Sequence, residues 1–316
     1  MSYFVALPDW SSITIDGPDA VEFLQNQITN SVKACAKSAP GAVAEGNQVK
    51  FAGYCNPKGR LMANFWFSRM MLMQGAEPLE RIQLFVSRDL AELLAKRLSM
   101  FVLRQKAKVQ AQTSLEIFAF CSSDGDISPL LNHLKDHPDA SAIRLPDVRD
   151  GQTTYQRYLL SGPQPQTETE TTDLEHWRYL EVISAYPRVV QATYEAFVPQ
   201  MINMESIQGI DFQKGCYPGQ EIVARSQYRG TIKRRLFLAK ASVTELPQPG
   251  TEIFAAHDPD QPCGLVVLAS FQPEHNNLAY FQVECKTEYA GQAVHIGAAH
   301  GAKLDWLDLP YPLIEI

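Results

Sequence analysis

The densest concentration of chemically capable residues is the run Lys214-Gly215-Cys216-Tyr217-Pro218-Gly219-Gln220-Glu221, followed by Arg225. Glycines stand on both sides of the thiol. Tyr217-Pro218-Gly219-Gln220 places Pro and Gly at the second and third positions of a type II turn, where the third residue needs positive φ. Cys216 is therefore expected at a bend. With a helix opening at Gln220, the sulfur stands shortly before a helix N-terminus and two residues from the Lys214 ammonium. Both favour thiolate over thiol and would make the cysteine reactive or able to ligate. The competing reading is a small buried hydrophobe, the usual fate of a free cysteine. That plainer reading is the expected one for Cys35, Cys55, Cys121, Cys263 and Cys285. Glu221 and Arg225, four apart, read either as part of the site or as a helix-surface pair worth about 0.3 kcal/mol. From Arg225 to Arg235 the run adds Arg229, Lys233, Arg234 and Arg235 with no acid among them. It is either a positive field able to hold an anionic tail or phosphate, or a solvated face.

The elements around this run follow from periodicity. Ser12-Ile13-Thr14-Ile15 alternates as a strand, and Gly17-Pro18 opens a helix with Val21, Leu24 and Ile28 on one face. Lys50 to Cys55 and Leu61 to Phe67 read as a hairpin about the turn Asn56-Pro57-Lys58-Gly59. Arg81 to Val86 is a further strand. Ser87 is a candidate N-cap for a helix burying Leu90, Leu93, Leu94 and Leu98, with strands at Lys106 to Ala111 and Leu115 to Phe120. Residues 161–172 are polar and aperiodic, a linker or loop. Thr172 and Glu175 then form a candidate capping box for a helix carrying Leu174, Trp177, Leu180 and Ile183. Past Arg235 only short strands remain (Leu236 to Lys240, Ile253 to Ala256, Gly264 to Ser270, Leu278 to Cys285, Ala293 to Ile296), a small all-β barrel or sandwich.

K-G-C-[FY]-x-G-Q-E followed by an arginine and R-G-x-x-K-R resembles the signature of the YgfZ family. The likeness extends to Asp9-Trp10, Gln25-Asn26-Gln27-Ile28-Thr29, Cys55-Asn56-Pro57-Lys58-Gly59-Arg60, Trp177, Phe197-Val198-Pro199-Gln200 and Leu309-Pro310-Tyr311. The resemblance implies an α+β chain with the folate-binding fold of the glycine-cleavage aminomethyltransferase, or T-protein. Its ferredoxin-like domain would cover 1–48 and 112–232, an inserted α+β domain 49–111, and a C-terminal β-barrel 233–316. It implies tetrahydrofolate or a folate derivative as cofactor, with Trp10 and Trp177 bordering the flat ring. By ordinary burial statistics the same two indoles are core anchors. Lys214, Gly215, Tyr217, Gly219, Gln220, Glu221 and Arg225 complete the implied binding set, the basic residues being candidates for the folate carboxylates. The implied role is an accessory protein that supports iron–sulfur enzymes, including those that thiolate tRNA, with Cys216 as functional thiol.

An aminomethyltransferase needs a carboxylate near the transferred carbon to move charge and protons. Where the T-protein has an acidic pair, this chain has Ala63 and Asn64. Where relatives read Glu-Ala-Gly after the Trp177 helix, it has Ile183-Ser184-Ala185, which removes a carboxylate expected on the pterin. The expectation leans away from an enzyme. A one-carbon transferase is the alternative, and an adaptor that no longer binds folate is a third reading.

Composition sets outer limits. A chain of 316 residues with 45% hydrophobic content can bury two or three cores. A formal charge of −7 gives no general attraction to nucleic acid, so stable binding is not expected and any RNA contact must use a local basic patch. Six scattered cysteines without a C-x-x-C pair suit a reducing compartment. The opening MSYFVALPDWSS lacks the form of a signal peptide, no stretch is long enough to span a bilayer, and a cytoplasmic monomer is expected. His133 and His137 lie four apart without a third ligand, so a surface pair and no metal site are expected. No G-x-G-x-x-G, Walker A or G-x-S-x-G run occurs.

Overall fold

A computed structural model describes residues 1–74, 77–165, 171–228 and 231–314. In chain order the elements up to residue 161 are β1 (Ser2–Ala6), β2 (Trp10–Asp16), α1 (Ala20–Gln25), β3 (Lys37–Ser38), β4 (Val43–Ala44), β5 (Val49–Cys55), β6 (Leu61–Gln74), β7 (Glu77–Ser87), α2 (Arg88–Ser99), β8 (Lys108–Ala111), β9 (Ile117–Ser122), α3 (Ser128–Asp136), β10 (Ser141–Asp150) and β11 (Thr153–Ser161). The remainder holds α4 (Thr171–Ile183), α5 (Gln220–Tyr228), β12 (Arg234–Ser242), β13 (Glu252–Ala255), β14 (Asp258–Gln272), β15 (His275–Lys286), β16 (Val294–Ile296) and β17 (Asp305–Leu307). The chain divides into two compact units. The first comprises Met1–Cys55, Met62–Asp173 and Gly209–Pro218, and the second Asn56–Leu61, Leu174–Gln208 and Gly219–Ile316.

The first unit is built on two sheets. One has the order β1-β9-β11-β10-β4, and the other β3-β6-β7-β2-β8 with β5 paired to β6. β2 is buried from Trp10 to Ile15, so both of its faces are covered. Its small polar residues permit this: Ser12 Oγ lies 3.5 Å from Ser161 Oγ of β11, which lets strands of the two sheets approach where bulkier side chains would hold them apart. α2 packs on β2, β7 and β8 through Leu90, Ala91, Leu94, Ala95 and Leu98. Leu93, expected inside, is 42% exposed instead, because the buried stripe runs through Ala91 and Ala95, small residues that bring the helix close to the sheet. Ser87 stands at the N-cap position but makes no capping bond. α1 ends at Gln25, so Ile28 lies beyond the helix and pairs across to Tyr54.

The second unit carries an antiparallel half-barrel sheet of order β16-β13-β14-β15-β12-β17. Inward residues on β15 (Ala279, Phe281, Val283, Cys285) meet Ile253, Val266 and Val294 in one apolar core. The alternate residues Gln282 and Glu284 are also buried, so this strand too is covered on both faces. α4 starts at Thr171, which places Thr172 inside the helix and not at its cap. Strands β1, β3, β4, β10, β11 and β17 have no counterpart in the sequence reading. They are short, or mixed in composition, and their pairing partners are distant.

Among the described residues, no helix is long and apolar enough to cross a membrane. None of their His, Cys, Asp and Glu form a group of three able to hold a metal; His133 and His137 merely stack, with ring centroids 4.8 Å apart.

Candidate functional site

The division between the units runs through the cysteine motif, between Pro218 and Gly219. The first unit holds Cys35, Cys55 and Cys121, all buried, and Cys216, which is exposed; Cys263 and Cys285 of the second unit are buried too. Burial alone pushes the Cys55 thiol up to about 12, and burial is also the leading reason that Cys35 and Cys121 rise to about 11. These thiols stay protonated and inert near neutral pH. Cys216 alone is presented to solvent, so the small-hydrophobe reading fails for it. The neighbouring Gly215 is exposed as well, and a Cβ added there meets nothing within 4 Å. Nothing inside the protein requires glycine at 215, which leaves room for a second molecule beside the sulfur.

Lys214 anchors the segment before the thiol. Its ammonium is buried and donates to the carbonyls of Gln25 and Ile28, the latter at 2.5 Å. These lie at and beyond the C-terminal end of α1, where unsatisfied carbonyls attract a cation. The Nζ also sits 5.0 Å from the centre of the buried Tyr217 ring, a cation–π contact. The sequence reading had Lys214 polarising the thiol and offered it to a folate carboxylate. Its hydrogen bonds go to backbone instead, so it acts as a strut. Burial lowers the Lys214 ammonium to about 8, with Asp211 opposing the shift. The sign of the linkage follows. The unfolded chain keeps this proton up to about pH 10.5 while the folded chain releases it near 8, so stability gained from this group rises with pH between those values. The stability difference between the parent and Lys214→Met should therefore shift in the parent's favour from pH 8 to 9.5. Chemical denaturation of both proteins at those two pH values measures it, and a flat difference would count against the buried cation.

In the second unit, Gly219 has φ +79° as the turn chemistry requires. A Cβ there would fall 2.4 Å from Asn56 O and 2.7 Å from Gly59 Cα. The two glycine turns thus pack backbone against backbone, and neither tolerates a side chain. Asn56 closes its own turn, its Oδ1 accepting the N–H of Lys58 and of Arg60 at 2.9 and 3.0 Å. Gln200, from the Phe-Val-Pro-Gln run, donates Nε2 to Val223 O of α5 at 2.7 Å. These separated motifs are one structural unit that fixes the start of α5. Gln220 is half-buried; Glu221 and Arg225 are exposed on α5 and form no ion pair with each other.

The basic run does not form an open anion field. Arg234 binds both carboxylate oxygens of buried Glu284 at 2.9 and 2.8 Å, and Arg235 is paired with buried Glu205. Burial raises the Glu284 carboxyl although Arg234 and Arg60 oppose it. Arg229 lies outside the described residues, leaving Arg225 and Lys233 exposed.

Trp10 opens β2 in the first unit and Trp177 sits mid-helix on α4 in the second; both are buried. Positions 63 and 64 of β6 carry a methyl and a carboxamide, also buried. After α4, Ser184 Oγ donates to Glu181 O at 2.7 Å, and the nearest acid to the missing carboxylate, Glu181, is held by Arg188 at 2.7 and 3.3 Å. It does not substitute for the residue lost at 183. Ala185 adopts φ +55°, a left-handed conformation that glycine takes at lower cost. Its carbonyl accepts from Tyr311 Oη at 2.8 Å. Ala185→Gly is expected to stabilise the protein by about 1 kcal/mol, raising the melting temperature by roughly 2 °C; calorimetry measures it, and a lower melting temperature would refute the strain argument.

Buried carboxamide acceptors escaped the sequence reading. Gln282 is fully buried, donates Nε2 to the carbonyls of Glu181, Val182 and Tyr186 at the end of α4, and leaves Oε1 with no partner. Gln200 Oε1 is likewise buried without one. The alternation of β15 pointed Gln282 away from the barrel core, but nothing local showed that this second face is covered.

The fold is that of a glycine cleavage aminomethyltransferase: the chain superposes on glycine cleavage system aminomethyltransferase T from Bartonella henselae with a TM-score of 0.61, at 12% identity, over 98% of this chain and 86% of that one. In sequence it is similar to tRNA-modifying protein YgfZ, which bears out the resemblance read from the motifs. The Sodalis glossinidius protein of that name is 28% identical over 98% of this chain and 93% of its own length, and the Cronobacter sakazakii protein is 26% identical over the same shares. The Serratia proteamaculans protein is 29% identical over 79% of this chain and 74% of its own. No protein-family model matches the chain.

Proposed function

We propose that this chain is a tetrahydrofolate-binding accessory protein in tRNA modification, acting as a cytoplasmic monomer that supports iron–sulfur enzymes such as those that thiolate tRNA, with Cys216 as its working thiol. The observation that carries the reading is Cys216 itself: the single exposed cysteine, two residues from a buried lysine and followed by an obligatory glycine turn. The similarity to YgfZ supports the tRNA role, and the fold supports folate as the ligand.

The donor set fits a pterin in one respect. A pterin ring presents N–H donors, and the second unit holds buried carboxamide oxygens on Gln200, Gln227 and Gln282 that have no partner. An orphaned buried acceptor costs about 1–3 kcal/mol until something donates to it. Bound tetrahydrofolate would supply the capacity to carry a one-carbon unit. This chain's own residues would supply binding, orientation and the thiol. The aminomethyltransferase alternative is disfavoured because Ala63, Asn64 and Ile183 stand where carboxylates are needed. Trp10, Lys214, Gly215 and Tyr217 of the first unit, and Trp177, Gly219, Gln220, Glu221 and Arg225 of the second, are the residues whose substitution tests the reading.

Titration of the full chain with tetrahydrofolate, followed by intrinsic fluorescence and by calorimetry, is expected to show saturable binding that Trp177→Phe weakens about tenfold, with no turnover when an aminomethyl donor is added. Absence of binding would leave only the adaptor, and turnover at a T-protein's rate would establish the transferase.

A further inference from the structure

The C-terminal end of α2 and the turn after it form a patch that the folate reading does not use. From Leu93 to Leu115 there is no acidic residue, yet Lys96, Arg97, Arg104, Lys106 and Lys108 fall here, five of the chain's 28 basic residues in a protein of net charge −7. Elsewhere Arg69, Arg81, Arg188, Arg234 and Arg235 each face a carboxylate. Among the described residues, none of these five cations has an ion-pair partner. Lys96, Arg104, Lys106 and Lys108 are exposed and Arg97 half-buried. Asp89 and Glu92 lie in the first half of α2; Glu92, one turn before Lys96, forms no ion pair with it. Asp16, the register partner of Lys108, is bound by Arg81, and Asp19 accepts the Lys106 backbone N–H at 2.7 Å.

The patch also displays apolar side chains. Leu93 is 42% exposed, Met100 67%, Phe101 43% and Leu103 87%. The turn is ordered by its backbone: Phe101 N–H donates to Leu98 O at 3.0 Å and Gln105 N–H to Val102 O at 2.9 Å. Its far end is clamped by Gly17, where a Cβ would fall 2.3 Å from Lys106 O. Leu103 has φ +48°, a strained conformation for a leucine that packs against little of its own protein. Strain kept at an exposed position is a mark of a surface that is used.

We propose that this turn is an RNA-docking surface, in which Lys96, Arg104, Lys106 and Lys108 meet phosphates and Phe101 stacks on an unpaired base. The inference rests on the proposed role in tRNA modification. Contact with RNA by an acidic chain calls for a local basic patch, and unpaired cations around an exposed aromatic are the chemistry that recognises single-stranded regions of folded RNA. An acidic protein surface is the competing occupant and is separated by the test below.

Fluorescence anisotropy of the full chain with a labelled, unmodified tRNA transcript is expected to show binding that weakens with salt. The triple variant K96Q/R104Q/K108Q should bind at least about tenfold more weakly at low salt, with the slope of log affinity against log salt reduced by about two. Phe101→Ala should lose about tenfold with little change in slope. Leu103→Gly should raise the melting temperature while weakening RNA binding, a combination that a purely structural turn would not give. Circular dichroism establishes that the variants remain folded. If the parent binds no tRNA, if the triple variant binds as tightly as the parent, or if poly-glutamate competes as well as the transcript, the proposal is overturned. Complementation of cells lacking the protein separates the two levels: full rescue by the triple variant sinks the docking surface alone, whereas failure of the parent to rescue sinks the functional reading.

Discussion

Cys216→Ser is expected to leave the melting temperature within about 2 °C of the parent and to abolish rescue of iron–sulfur enzyme activity in cells lacking the protein. The first half follows from exposure: substitution of a solvent-facing side chain with no hydrogen-bonded partner usually costs no more than about 0.5 kcal/mol. The second follows from chemistry, since a hydroxyl neither forms a thiolate near neutral pH nor ligates a soft metal as sulfur does. Native alkylation offers an independent check. Brief treatment with iodoacetamide near neutral pH should add a single carbamidomethyl group, and peptide mapping should place it on Cys216, because the other thiols are buried and burial pushes Cys35 and Cys121 up to about 11 and Cys55 up to about 12. Cys55→Ser provides the contrast, losing stability without touching the exposed sulfur. A serine variant that rescues fully would remove the thiol from the mechanism, even with folate binding intact.

Arg235→Met is expected to destabilise the second unit by about 3–5 kcal/mol, the largest effect of any single substitution considered, because it strands the Glu205 carboxylate in the interior. Glu205 is 3% exposed and Arg235 6%. Ser206 Oγ donates to the same Glu205 oxygen at 3.0 Å, too little to replace a guanidinium, and the other oxygen already lacks a partner. Arg235 also donates to Ile314 O at 3.1 Å, so the variant should loosen the C-terminal segment. The double variant Glu205→Leu/Arg235→Met should recover much of the loss, since removing both charges removes the desolvation cost with them. Urea denaturation followed by a tryptophan signal, with hydrogen exchange at residues 311–314, measures both effects. A single variant as stable as the parent would mean that the pair is not sealed from water.

The same pair shows where reading the sequence stops. Arg234 and Arg235 stand in an acid-free run and look available to an external anion, yet their carboxylates are supplied by Glu284 and Glu205, 50 and 30 residues away. Lys214 looks equally free beside Cys216, but its acceptors are backbone carbonyls 189 and 186 residues away. Leu93 matches the helical period of α2, yet the helix turns its alanines inward. In each case a local pattern identified a capable group and could not say what would cover it.

Local physics was legible wherever a residue's own backbone preference sets the outcome. The Pro-Gly turn before α5, the Asn-Pro-Lys-Gly hairpin and the alternating strands of the half-barrel stand where periodicity and turn chemistry put them, since φ, ψ and side-chain spacing are properties of a few adjacent residues; α4 forms where its apolar spacing indicated, but it also buries Asp173, Tyr179, Glu181 and Val182 outside the expected face. The sequence by itself determined these elements and the glycine turn that follows Cys216. Only the tertiary structure decided that Cys216 alone among the cysteines meets solvent, that Lys214 is a buried strut, and that Gln282 and Gln200 hold unmet acceptors. Burial and hydrogen-bond partnership depend on residues brought together from distant parts of the chain, and a sequence window of ten residues contains no information about them.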